Sequence, residues 1–264
     1  LWEPAKELAL ERFEGYWGPK PKIKTAIFKY VKEWSTRKLM LQNADADRVV
    51  VDTTYVPEVR AMKGLKLFEV PQLNFTAGMF CRRINPTGNT NIGSGKLDGN
   101  GIPADFFSDI NVRKAFYHAF DRETYKKDVF HGQVVAPTSP LIQGLPYHKN
   151  VAVYEFDLKK AAEYMKKAWD GQVWEKGFKM VVTYNTGNVM REAAAKMLAE
   201  NIMSLNPKFQ IEIRNVEWKD YVVQVRQFQY PIFLSGWGAD YADPHNFVRP
   251  FMHSEGYYLS LIHI

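Results

Sequence analysis

A single cysteine, Cys81, stands in the 264 residues, which excludes an intrachain disulfide and a zinc site built on cysteines. No apolar run approaches the ~18 residues that would suggest a membrane-spanning helix. Charge of one sign is not massed anywhere. The formal charge of +6 and pI near 9.1 come from lysines and arginines interleaved with acids. Without a basic block or an RNA-binding signature, nucleic acid is not an expected partner. Signatures of catalysis are missing too: there is no nucleophile elbow and no His-Glu-x-x-His. The chain carries no signal peptide and opens on Leu1 rather than Met, as a fragment would.

What is present is enough apolar residue, 46%, to bury one large core or two smaller ones. The most informative stretch is Gly236-Trp237-Gly238-Ala239-Asp240-Tyr241-Ala242-Asp243-Pro244, which follows the apolar run 231–235. A buried strand delivers aromatics and carboxylates onto a loop loosened by glycine. Glycine admits close backbone approach, rings offer stacking faces, and a carboxylate holds a cation. This is recognition chemistry, and it favours a binding protein over an enzyme.

Along the chain, the first part reads as mixed α/β. Strands are expected at 22–31, 48–51, 65–70 and 74–84, a helix at 35–43 capped by Ser35, and a helical turn at 57–62. Residues 85–105 have loop chemistry. Two motif fragments inside it fail. Gly93-Ser94-Gly95-Lys96 lacks the Ser/Thr of a phosphate loop. Asp98-Gly99-Asn100-Gly101-Ile102 would place Lys96 and Phe107 where a calcium loop needs acids. From Asp109, a capping residue, Val112, Ala115, Phe116, Ala119 and Phe120 mark one buried helix face, which leaves His118 on the surface. A second helix starts at Asp157. Residues 178–236 then read as β-α-β-α-β: strand 178–184, helix 189–205, strand 209–216, helix 218–228, strand 231–235. This pattern predicts a parallel sheet with right-handed crossovers.

Ligands of such sheets bind beyond the carboxyl ends of the strands. Three loops are therefore expected along one rim: 184–188, Glu217-Trp218 and 236–244. The candidate ligand-binding residues are Asp240, Trp237, Trp218, Asn185, Tyr184 and Arg191. Asp240 suits an ammonium or a hydroxyl, with helix capping as its bland role, and Asp243 before Pro244 is expected to cap. Trp237 and Trp218 would wall a pocket or fill core. Arg191 lies in a helix's first turn, where its charge opposes the macrodipole. Either a bound carboxylate or solvent would offset that. Asp240, Asp243, His245 and His253 supply residue types for a metal site or a hydrolytic carboxylate pair, but no spacing supports either. No metal or cofactor is expected.

At this point the sequence resembles the solute-binding proteins of peptide and nickel ABC importers, over nearly all of residues 10–256. The resemblance rests on Glu14-Gly15-Tyr16-Trp17 with Pro21, on Phe107 to Phe116 continuing to Phe120-Asp121-Arg122, and on Tyr184-Asn185-Thr186. Glu217-Trp218 and Gly236 to Tyr241 complete five ordered blocks. It implies an α/β, periplasmic-binding-protein-like fold (class II, the large three-domain type) whose two lobes close on a ligand, here incomplete. Residues 1–84 would be part of the first lobe and 85–258 the second ligand-binding lobe. The apolar ending 259–264 reads as a non-native or read-through tail, with a buried terminal strand as the alternative. The resemblance further implies that Asp240 pairs with a peptide's α-ammonium, that Trp237 and Trp218 line the groove, and that Asn185 is a polar pocket residue. Where peptide-binding relatives carry carboxylate-gripping arginines, this chain has Tyr184, Val225 or Leu234, with Arg191 and Arg226 close by. Longer peptides held by their backbone are therefore favoured. An oligosaccharide ligand is the alternative and a carboxylate-pair hydrolase a remote one. The implied partners are a peptide or other small solute and ABC permease subunits. The implied state is a monomer, and the implied place is the periplasm or the outer face of the membrane.

Overall fold

The computed structural model describes residues 1–4, 6–70, 72–253, 256, 258 and 261–263, the last three by backbone alone. The chain divides into two compact units, Leu1–Val59 and Arg60–Ile264.

In the first unit, strands β1 (Trp2–Glu3), β2 (Glu7–Glu11) and β3 (Thr25–Lys29) form an antiparallel sheet. Register sets Leu8 against Phe28 and Leu10 against Ala26, so these four share one face. Helix α1 (Trp34–Gln42) follows. Its N-cap is Glu33, with no side-chain cap bond, and the expected cap Ser35 falls inside the first turn. The buried Trp34 explains the earlier start: its indole donates to the Glu58 carboxylate at 2.8 Å and stacks on Tyr55 at 4.8 Å. Helix α2 (Val56–Arg60) occupies the expected helical turn. Segments 48–51 and 65–70 are irregular rather than strands. Their β-branched residues favour a pleated surface, but a strand also needs a neighbour to complete its ladder.

The first strand of the second unit is β4 (Asn74–Cys81), which pairs with a much later strand from Asn74↔Gly238 to Phe80↔Ile232. The lobe division expected after residue 84 thus falls inside this unit, because a strand's membership is decided by its ladder partner. The glycine-rich loop closes on itself through a Gly93↔Gly101 bridge, and Asp98 accepts from the Asn100 amide and the Ser94 hydroxyl. It is a structural loop.

Helices α3 (Ile110–His118), α4 (Arg122–Thr124), α5 (Leu158–Lys167) and α6 (Gln172–Lys176) come next. The expected caps form: Asp109 accepts from the Asn111 amide at 2.6 Å, and Asp157 from both Lys159 and Lys160 at 3.0 Å. His118 departs from expectation, being only 4% exposed. The segment before α5 folds over it. Its Nδ1 bonds the Glu155 carbonyl at 2.7 Å, and its ring stacks on Tyr164 at 5.6 Å.

The remainder is β5 (Phe178–Asn185), α7 (Val189–Leu205), β6 (Phe209–Val216), α8 (Trp218–Arg226), β7 (Ile232–Gly238), α9 (His245–Met252) and β8 (Leu261–His263). The sheet order is β6-β5-β7-β4-β8, with β5 parallel to both β6 and β7 and the last two strands antiparallel. The expected β-α-β-α-β unit is therefore real. Part of the segment expected as a foreign tail pairs with β4, at Met79↔His263 to Cys81↔Leu261; residues 259, 260 and 264 lie outside the described residues. The core holds stacked and edge-on Phe80, Phe106, Phe107, Phe116 and Phe178 beneath the sheet residues Met180, Val182 and Ile232.

Candidate ligand-binding site

Because β5, β6 and β7 run parallel, their carboxyl ends share one rim, and the amide of Thr186 donates to the Val216 carbonyl across it at 2.9 Å. Arg191 is the hub. Asn188 caps α7 by accepting from the Arg191 amide at 2.9 Å, which places that side chain in the first turn. Its Nη1 donates to Asn185 Oδ1 at 2.6 Å. Its Nη2 lies against Gly236 of β7, where an added Cβ would come within 2.9 Å of it and 2.6 Å of the Phe75 carbonyl. Gly236 is needed because two neighbours occupy the side-chain position.

Arg191 is largely buried, and burial lowers its pKa, an effect opposed by the fields of Tyr221, Tyr125 and Tyr258. Its Nε is enclosed with no hydrogen-bond partner, and no carboxylate pairs with the guanidinium among the described residues. A partly buried cation without a counter-ion carries some desolvation cost that an arriving anion would offset. The N-terminus of α7 adds positive potential at the same place.

Trp218 opens α8 just past β6, is 55% exposed, and stacks on Tyr221 at 5.9 Å. Tyr221 is buried, donates to the Leu234 carbonyl at 2.6 Å, and has its phenol pKa pushed up by burial. The structure thus joins Asn185, Arg191 and Gly236 directly, and Trp218 through Tyr221. Tyr221 was not singled out in the sequence. Its position three residues after Trp218, on the same helix face, was the available signal.

Three candidates are placed differently. Tyr184 is 5% exposed and belongs to the core side of β5. Trp237 is half-buried: its indole donates to Asn246 Oδ1 at 2.9 Å and its ring meets Phe251 edge-on at 5.6 Å. Asp240 is exposed two residues beyond β7 and makes no hydrogen bond or ion pair among the described residues. The N-cap of α9 is Pro244, one residue after the expected cap Asp243, which nonetheless accepts from the His245 amide at 2.8 Å, while the Tyr241 hydroxyl meets His245 Nδ1 at 2.7 Å.

The sequence model of bacterial extracellular solute-binding proteins, family 5 (middle), matches residues 1–258. The chain belongs to this family. Among similar proteins, the dipeptide-binding protein of Escherichia coli is 25% identical over 252 residues, covering 93% of this chain and 42% of that protein. The family-5 fold is also that of solved structures. One is the periplasmic binding protein DppA from Helicobacter pylori in complex with the peptide STSA, with TM-score 0.71, 22% identity, and coverage of 94% of this chain and 43% of that one. Another is NikA from Brucella suis in complex with Fe(III)-EDTA, with TM-score 0.74, 18% identity, and coverage of 98% and 51%. This family-5 chain therefore spans about half the length of the relatives it matches.

Proposed function

We propose that this chain is part of the substrate-capturing component of an ABC importer that takes peptides, oligopeptides foremost. The carrying observation is the partly buried Arg191 guanidinium, its Nε enclosed and without a carboxylate among the described residues, at the carboxyl rim of a parallel sheet. A peptide's terminal carboxylate is a counter-ion of the right sign and shape for it. Asp240, exposed and unpaired among the described residues, takes the α-ammonium or another cationic group. Trp218 gives apolar wall, and Asn185 is held ready by Arg191. No chemistry on the ligand is required. The ligand shifts the protein towards the conformer it binds better, and that conformer docks on a membrane permease. The protein acts as a monomer outside the cytoplasmic membrane, in the periplasm or tethered to the membrane's outer face. The naming of relatives for dipeptides and peptides supports this reading.

Isothermal titration with one peptide in free, N-acetylated and C-amidated forms tests it. Each block should cost about ten- to a hundredfold in affinity, from ~1.5–3 kcal/mol per charge-assisted hydrogen bond. Arg191→Gln should erase the penalty for amidation and Asp240→Asn that for acetylation. Binding of sugars with indifference to all peptides would replace this reading with the oligosaccharide one.

A further inference from the structure

A second feature lies on a different part of the same sheet. Lys179 on β5 and Glu212 and Arg214 on β6 border an open surface cavity of about 290 Å³, flanked on its other side by the glycine-rich loop. Its wall is built. Asn91, only 6% exposed, donates to the Gln229 carbonyl at 3.0 Å and accepts from Arg214 Nη1 at 2.8 Å. Arg214 is held from the other side by Glu212 Oε1, at 3.2 Å from Nε and 2.7 Å from Nη2. The guanidinium is therefore oriented before anything binds. Other polar groups on the lining are uncommitted among the described residues: the Lys179 ammonium, the Thr90 hydroxyl, the Asn100 side chain and Glu212 Oε2.

Two cations against one carboxylate leave the cavity with one net positive charge. The volume lies at the small end for ligand sites, roughly 300–1,000 Å³, and no ring lines it, so a stacked aromatic or sugar has no platform. We propose that the cavity is a second ligand site, for a small hydroxy-carboxylate. The carboxylate neutralises Lys179 and is gripped with Arg214, the hydroxyl donates to Glu212 Oε2, and Thr90 and Asn100 complete the polar shell. A dianion would meet the Glu212 charge, and a neutral polyol would leave Lys179 uncompensated.

The test is a lactate titration of the protein followed by the backbone amide resonances of Gly93, Asn100 and Lys179. Saturable shifts are expected, with acetate binding more weakly for want of the hydroxyl. Lys179→Gln should weaken lactate at least about tenfold, the cost of one charge-assisted hydrogen bond, while Asp240→Asn leaves it unchanged. Lys179→Gln keeps the Asn91–Arg214 framework intact, so lost binding is not lost folding. Shifts that fail to saturate, that chloride reproduces at equal ionic strength, or that survive Lys179→Gln would overturn the proposal.

Discussion

At the scale of single residues, function depends on side chains whose partners are missing or crowded. Gly236 is hemmed in by the Phe75 carbonyl and the Arg191 guanidinium. Gly236→Ala should destabilise the protein by about 1–3 kcal/mol through overpacking, seen as a lower denaturant midpoint, and should weaken peptide binding by displacing Arg191. Tyr230 offers the converse case. It is buried, its hydroxyl has no partner among the described residues, and burial pushes its pKa to about 12. Above the unfolded value near 10, the unfolded chain loses this proton while the folded one keeps it, so stability falls as pH rises from about 10 to 12. Tyr230→Phe should leave neutral-pH stability unchanged or slightly higher and make that alkaline loss shallower in urea titrations. Residue types at the rim were legible in the sequence, but the buried Arg191–Asn185 bond was not, because burial and pairing are properties of neighbours distant along the chain.

At the scale of elements, local chemistry set the starts of helices. Asp109 and Asp157 cap as their positions before apolar-periodic segments imply. The Asp157 carboxyl is held below its ordinary pKa first by the Lys160 amide. A depressed folded pKa means that its contribution is present above the unfolded pKa and lost as pH falls through the folded one, below about pH 4. Asp157→Ala should lower the melting temperature at pH 7 and bring the variant and parent curves together towards pH 2–3, a comparison calorimetry can make. Expectation failed where an element depended on remote partners. Ser35 lost the cap because Trp34 is drawn to Glu58 and Tyr55. Segments 48–51 and 65–70 had strand composition but found no ladder. His118 lies off the apolar face of α3, yet the segment before α5 covers it.

For the whole molecule, the two units differ in how much apolar surface they bury. The second has an extensive aromatic core under a five-stranded sheet. The first rests on three short strands whose apolar face, with Leu8, Leu10 and Phe28, is substantially exposed. Small sheets with little buried face are marginal. Native-state hydrogen exchange should therefore show the amides of β1–β3 opening at lower free energy than those of β5–β7; equal protection would contradict this account. The sequence by itself determined the family, the βαβαβ order with its nearly correct boundaries, and the polar loops that follow its strands, because periodicity, caps and turn residues act within a few positions. Only the tertiary structure decided that β4 joins the second unit, that Trp237 and Tyr184 are taken up by packing, and that Arg191 is partly buried without a carboxylate among the described residues. Those outcomes depend on which distant segments exclude water from one another, and no local pattern encodes that.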